Sequence, residues 1–376
     1  MRIGIPREKK AGEARVAATP EMAKRYVAAG HEVLIESGAG APAHYTDQAY
    51  IDAGARCVDA AAALSAELVL AVRTPQPEAL ALMRRGGVLA GMLDPFDHAG
   101  LQRLADAGLT AFALEAAPRI TRAQSLDVLS SQANIAGYKA VLLATGHYGR
   151  FMPMLMTAAG TVKAARVVVL GAGVAGLQAI ATARRLGAVV EASDVRPAVR
   201  EQIESLGARF IDVPFETDEE REIAQGVGGY ARPMPQAWLQ RQAARVAERC
   251  LQADIVITTA LVPGRPAPVL LAEHTVAAMR AGSVVVDLAI ERGGNCAVSR
   301  ADEVVQHGEV TVLAPTNLPA MLAGDASALY ARNLFEFVRL ISGDDGALAI
   351  ARDDEIVAAC LMCEDGVVKG DRHGTH

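Results

Sequence analysis

Short, solidly apolar runs alternate along this chain with stretches of helical period, as expected for strands buried on both faces by the helices between them. Arg2 to Ile5, Glu32 to Glu36, Leu68 to Val72, Val88 to Leu93 and Ala111 to Leu114 predict the strands of a first sheet. Thr19-Pro20-Glu21 supplies an N-cap and a proline at the first helical position, and Gly30 closes that helix. Thr46-Asp47-Gln48 opens another, while Pro77 to Met83 and Asp97 to Ala107 read as helical. A long helix is expected from Val128 to about Gly146, entered through a polar stretch that begins at Glu115. Val167 to Leu170, Ala188 to Ala192, Gly207 to Val213, Ile255 to Thr259, Ser283 to Leu288 and Val310 to Leu313 predict a second sheet. Helices from Leu177 to Leu186 and Pro235 to Leu251 accompany it, and Ala326 to Leu340 forms a last helix that returns to the first sheet. Pro214 to Arg232, acidic and then glycine-rich, reads as a mobile surface loop, and Gly366 to His376 as a frayed tail.

One stretch of the second sheet carries chemistry. Gly171, Gly173 and Gly176 make a G-x-G-x-x-G turn between a strand and a helix, and Asp194 follows the next strand. Gly171 permits the tight turn, Gly173 lets backbone approach a pyrophosphate, and Gly176 lets helix and strand pack closely. The pyrophosphate would rest on the helix N-terminus, where free N–H groups and the dipole favour an anion. Asp194 can accept both ribose hydroxyls of adenosine and repels a 2′-phosphate, which favours NAD(H) over NADP(H); Arg196 close by weakens that discrimination. A glycine triplet alone is a weak signal, whereas the complete strand–turn–helix–strand–acid unit is a strong one. The expected fold class is therefore α/β, with two Rossmann-like, doubly wound parallel-sheet domains, the second inserted into the first. Residues 1–128 and 316–376 would form one, without a glycine fingerprint, and 129–315 the NAD(H)-binding other.

Composition narrows the function classes. The 376 residues are 51% hydrophobic and only 4% aromatic, giving an aliphatic core suited to helices on a parallel sheet. A net charge of −6 gives no support for nucleic-acid binding. Met1-Arg-Ile-Gly-Ile-Pro6 enters directly as a strand, so no signal peptide is expected, and no long uncharged apolar run suggests a membrane span. Five cysteines, an odd count, fit a reducing cytosol, and Cys360-Leu-Met-Cys363 reads as incidental strand residues with no second pair. The histidines follow no metal-ligand spacing, so no metal is expected.

Two polar clusters remain. Arg119, Gln124 and Asp127 precede the long helix: Arg pairs a carboxylate or pyrophosphate, and Gln offers donor and acceptor to a carboxamide. A solvated linker with an Arg–Asp pair is the alternative. Arg7, Glu8, Glu13 and Arg15 follow the first strand, where Arg15 would hold a small carboxylate or join surface ion pairs. Oxidation of an alcohol or amine needs a proton acceptor beside the carbon, whereas hydride transfer between two nicotinamides needs none.

Assembled, these stretches resemble the NAD(H)-binding subunits of proton-translocating nicotinamide nucleotide transhydrogenases, from Arg2 to about Asp365. The resemblance rests on Ile5-Pro-Arg-Glu8, Glu13-Ala-Arg-Val-Ala-Ala-Thr-Pro20, Arg119 through Tyr138, Gly171 through Arg196, Gly228-Gly-Tyr-Ala231, Ile257 through Pro268 and Asp287 through Cys296. It implies that Arg119 and Asp127 position the nicotinamide, with Gln124 near the partner nucleotide and Ser130 and Tyr138 lining the same site. It adds Val174, Val195, Ala260 and Leu261 to the cofactor contacts, and makes Gly229 and Tyr230 the tip of a loop that closes over NAD(H). It further implies direct hydride transfer from NADH to NADP+ held by a partner, coupled to proton movement. The chain would be a homodimer, peripheral on the cytoplasmic face, docked to a membrane-embedded proton-channel subunit and an NADP(H)-binding subunit. Alanine dehydrogenase shares the pattern, and there Arg15 would bind pyruvate. Here Arg73 stands where that family's lysine belongs, Met92-Leu93-Asp94-Pro95 has no histidine, and Glu291 replaces an aspartate. A redox-sensing NAD-binding module is the third reading, opposed by Arg119, Gln124 and Asp127.

Overall fold

The computed structural model describes residues 1–224, 234–262, 264–343 and 345–369. The chain forms two compact units, Met1–Gln132 with Pro319–His376, and Ala133–Leu318, where the expected junctions were 128/129 and 315/316.

In the first unit, strands β1 (Arg2–Ile5), β2 (Glu32–Glu36), β3 (Arg56–Val58), β4 (Leu68–Arg73), β5 (Val88–Met92) and β6 (Thr110–Ala113) lie parallel in the order 6-5-4-1-2-3. The order reverses at β1/β4, which makes the strand ends there the topological switch point of a doubly wound sheet. A C-terminal hairpin, Leu361–Glu364 with Val367–Val368, adds antiparallel to β6. Ile3, Ile5, Leu68, Leu70 and Val72 are buried without accessible surface because helices cover both faces. Helix α1 (Pro20–Ala28) begins as the sequence predicts, with Thr19 capping Met22 N–H. The helix Ala323–Leu340 places Tyr330 in the core, its hydroxyl donating to Ala71 O and accepting from Met92 N–H.

The second unit repeats the design. Strands β7 (Arg166–Leu170), β8 (Val189–Ser193), β9 (Arg209–Phe210), β10 (Ile255–Thr258), β11 (Val284–Asp287), β12 (Val304–His307) and β13 (Val310–Leu313) run in the order 9-8-7-10-11-13-12, parallel except for the edge strand β12. Its switch point lies between β7 and β10. Helix α2 (Val128–His147) spans the junction of the units, and α3 (Val174–Arg185) and α4 (Gln236–Cys250) flank the second sheet. A separate two-stranded ribbon, Leu155–Thr157 with Gly160–Val162, belongs to neither sheet.

Several expectations need correction. The third strand of the second sheet shrinks from seven expected residues to Arg209–Phe210, the last bond to its neighbour running from Ile211 N–H to Ala192 O. The region expected as a loop from Pro214 contains a helix, Asp218–Ala224. Thr217 Oγ1 accepts Glu220 N–H at 3.1 Å and Glu220 reaches back to Glu216 N–H at 2.8 Å, a reciprocal capping arrangement that outweighs the polar composition. Residues 225–232 of that expected loop, and 370–376 of the expected tail, lie outside the described residues. Cys360 ends a helix, Glu355–Cys360, and only Cys363 is in a strand. Burial pushes both thiols up, Cys360 to about 12 and Cys363 to about 11, so neither is a thiolate near neutral pH.

Candidate nucleotide-binding site

The glycine turn after β7 has the geometry its sequence demands. Gly171 sits at φ +96°, a region closed to most side chains, and a Cβ there would lie 2.8 Å from Thr259 Oγ1. At Gly176 a Cβ would lie 1.9 Å from Gly171 O, so only glycine lets α3 pack this close. Helix α3 starts at Val174, earlier than the expected Leu177, since Leu177 N–H already donates to Gly173 O at 2.9 Å. Gly173 differs: it caps α3 in an extended conformation, and a Cβ would meet no protein atom within 4 Å. Its smallness serves nothing inside the chain, which is what a pyrophosphate cradle at a helix N-terminus requires. Val174 is 37% exposed beside it.

Facing this turn, the segment after β10 is held rigidly. Asn295 accepts Ala260 N–H at 2.9 Å and donates to Ala260 O and Pro268 O at 2.9 and 2.8 Å. Asp287, fully buried at the end of β11, accepts from Thr258 Oγ1, Ala289 N, Asn295 N, Cys296 N and Ser299 Oγ at 2.8–3.0 Å. A buried carboxylate with five donors is a fixed point, and it sets Asn295, which sets Ala260 and leaves Leu261 48% exposed. Asp287 and Asn295 were not among the predicted site residues. Their signal was Asp287 at a strand end followed by Gly293-Gly294-Asn295.

Asp194 follows β8 as expected, but its carboxylate already has partners: Ala172 N–H, Arg196 N–H and the Arg196 guanidinium. Val195, half-buried, packs on a small apolar cluster containing Val213 and Trp238. Gly229 and Tyr230 lie outside the described residues. Tyr138 is 40% exposed on α2, one residue after Gly137, whose absent Cβ lets α2 approach so closely that such an atom would lie 2.1 Å from Ala175 O.

The remaining predicted residues are in the first unit. Asp127 caps α2, accepting Ser130 N–H at 2.9 Å and Ser130 Oγ at 2.6 Å. The preceding turn, Thr121–Leu126, is tied at two points: Asn333 donates to Ser125 O at 2.7 Å, and Arg122 pairs with Asp354 at 2.6 Å. Arg119 and Gln124 are exposed on this pinned segment. The solvated-linker alternative does not describe a segment anchored this way; Asn333 is a support that the sequence did not single out.

The first unit's own switch point is filled from within. Arg15, 2% exposed, donates Nε–H and Nη2–H to the two oxygens of Glu13 at 2.7 and 2.6 Å and Nη1–H to Gln132 at 2.8 Å. Arg73 joins Glu13 at 3.2 Å. The expectation of surface ion pairs is overturned: Arg15 and Glu13 are a buried pair, and Glu13 takes the guanidinium edge that a small carboxylate would use. Glu8 accepts Val72 N–H and Arg73 N–H, and Glu115 accepts Leu93 N–H and Asp94 N–H at 3.2 and 2.9 Å. Burial pushes both carboxyls up to about 7, against those backbone hydrogen bonds. Among the described residues no cluster of His, Cys, Asp or Glu is arranged to hold a metal.

Comparison with known proteins covers residues of both units. The N-terminal domain of the alanine dehydrogenase/PNT family matches residues 4–136 and the C-terminal domain of that family matches residues 140–370. The chain is 46% identical to an NAD(P) transhydrogenase subunit alpha polypeptide of Rhodospirillum rubrum, over 98% of this chain and 97% of that one. It superposes on the crystal structure of transhydrogenase from Sinorhizobium meliloti with a TM-score of 0.89, at 46% identity, covering 98% of this chain and all of that one. The alanine dehydrogenase of Mycobacterium tuberculosis is 30% identical, over the whole of this chain and 96% of that one.

Proposed function

The chain belongs to the alanine dehydrogenase/PNT family, and from that premise we propose that it is the NAD(H)-binding subunit of a proton-translocating transhydrogenase. The observation that carries this reading is the pairing of an open nucleotide turn at Gly171–Gly176 with a first unit whose switch-point residues are already engaged with one another. Arg15 is occupied by Glu13 and Gln132, and Met92-Leu93-Asp94 offers no imidazole. Amine or alcohol oxidation lacks the histidine proton acceptor there, while transfer between two nicotinamides needs no acceptor.

The nicotinamide supplies the hydride chemistry. The chain's own residues bind and orient: Gly173 and the first turn of α3 take the pyrophosphate, Asp194 the ribose, and Ala260 and Leu261 the opposite wall. Arg119, Asp127 and Ser130 position the ring, and exposed Gln124 meets the NADP(H)-bearing partner. Bringing two rings into contact is an orientation effect, which can supply most of such a rate. Among the described residues no helix is long and apolar enough to cross a membrane; in this reading, proton movement belongs to membrane-embedded partners on whose cytoplasmic face the chain docks. A homodimer is supported by the ribbon at Leu155–Val162 and the segment leading into it, where Phe151, Met154 and Met156 are 57%, 61% and 71% exposed. A two-stranded ribbon is marginal alone, and its apolar surface suits a second copy.

The test is reconstitution with an NADP(H)-binding partner. NADH must reduce an NADP+ analogue only when both proteins are present, and the chain alone must leave NADH unoxidised by pyruvate and ammonia. Steady oxidation in the second assay makes it an alanine dehydrogenase instead.

A further inference from the structure

Within the first unit, the buried Arg15–Glu13 pair continues into a hydrogen-bond chain that reaches the turn before α2. Arg15 directs Nε–H and Nη2–H at Glu13 and gives Nη1–H to Gln132 Oε1 at 2.8 Å. Gln132 Nε2 donates onward to Ser131 Oγ at 3.3 Å and to Ala326 O at 3.1 Å. Ser131 Oγ donates to Asn333 Oδ1 at 2.8 Å, closer than the alternative in its own helix, Val128 O at 3.1 Å. Asn333 Nδ2 then donates to Ser125 O at 2.7 Å, the carbonyl next to Gln124. Every link runs the same way, from a cation to a main-chain oxygen. The direction is forced at both ends, since a guanidinium can only donate and a carbonyl can only accept. Both amides are thereby locked in one orientation, and aligned donors in a buried chain polarise one another. Glu13, Arg15, Gln132 and Asn333 are each 8% exposed or less.

Stability does not account for this arrangement. Apolar residues of similar volume often replace a buried ion pair without loss, whereas a directional chain fixes the relative placement of the parts it joins. Those parts are the loop after β1, the helix Ala323–Leu340 and the start of α2, and the segment between them carries Gln124, Asp127 and Ser130. We propose that Arg15, Gln132, Ser131 and Asn333 are positioning residues for hydride transfer, holding residues 121–130 so that Gln124 and Asp127 meet the nicotinamide in one geometry. The inference rests on the reading of Arg119, Gln124 and Asp127 as the nicotinamide side of the site, and it extends that reading to buried residues behind them. In a step controlled by orientation, a misplacement of about 1 Å can cost about a hundredfold in rate.

Ser131→Ala makes the mildest cut in the chain: it removes one hydroxyl from a helix interior, where alanine is the better helix former. In the full chain reconstituted with its NADP(H)-binding partner, single-turnover hydride transfer should slow about tenfold while NADH affinity changes by less than about twofold. Gln132→Met, which severs the chain at Arg15, should split rate from affinity in the same way. Combined with Gln124→Asn, Ser131→Ala should slow transfer by less than the product of the two single effects, because both act through one side chain. A lower melting temperature with an unchanged transfer rate, or losses that multiply in the double variant, overturns the proposal. If Gln124→Asn slows transfer and Ser131→Ala does not, the proposal falls while the reading of the loop stands. If neither slows it, both fall.

Discussion

Both oxygens of the Asp194 carboxylate accept from the Arg196 guanidinium, Nε to one at 2.9 Å and Nη2 to the other at 2.8 Å. The pair forms a two-pronged fork on the face that a ribose diol would use. If Asp194 takes the ribose as proposed, Arg196 is a competitor built into the site as well as a neighbour of it. Arg196→Met should tighten NADH binding roughly fivefold, the scale of a partly exposed ion pair. A fluorescence titration checks this, and weaker binding would mean that Arg196 holds the nucleotide.

The glycines of the turn should separate into two kinds. Gly176→Ala drives a Cβ to 1.9 Å from Gly171 O, a backbone atom that cannot move aside, and should cost about 2–4 kcal/mol of stability. Gly173→Ala meets no protein atom and keeps an allowed extended conformation. Its thermal unfolding should match the wild type while NADH affinity falls at least tenfold. A Gly173→Ala protein that binds NADH normally would remove the pyrophosphate from this turn.

Gln124 is exposed on a turn pinned by Asn333 and Arg122, so its side chain is not needed for folding. Gln124→Asn, one methylene shorter, should leave stability and NADH affinity unchanged and slow hydride transfer in the reconstituted complex by about tenfold or more. Asn333→Ala should instead lower stability by about 1–2 kcal/mol, since Ser125 O loses the Asn333 amide donor and Ser131 Oγ one of its partners. Unimpaired transfer in Gln124→Asn would refute the assignment of that loop.

The two carboxyls pushed up to about 7 from 4.5 give the first unit a defined pH response. Between those values the folded chain holds protons that the unfolded chain has released, so stability falls as pH rises from about 4.5 through 7 and then levels. Each group contributes at most about 3 kcal/mol to that fall. Glu115→Gln removes one of them: the decline in melting temperature between pH 5 and 8 should flatten, with the variant more stable than the wild type at the alkaline end. An unchanged slope would show that Glu115 ionises like an exposed carboxylate.

Local chemistry determined much of this protein. Apolar runs and turn residues set the central strands of both sheets, because a strand covered on both faces must be apolar throughout, while the edge strands Arg56–Val58 and Val304–His307 carried no such run. The Thr19-Pro20 start and the Gly171-x-Gly173-x-x-Gly176 turn are likewise determined within a few residues, since caps and left-handed turns are short-range. Thr217-x-x-Glu220 is equally legible as a capping signal, though the acidic composition around it points to a loop. What only the tertiary structure decided are the pairings between residues far apart in sequence: Gln132 with Arg15, Asn333 with Ser125, and Asn295 with Ala260. Arg15 reads as a surface charge because its neighbours in sequence are charged. The fold buries it and uses its fork on Glu13. Whether a polar side chain is a ligand or a support depends on which other groups reach it first, and that is settled by long-range packing, which no local pattern encodes.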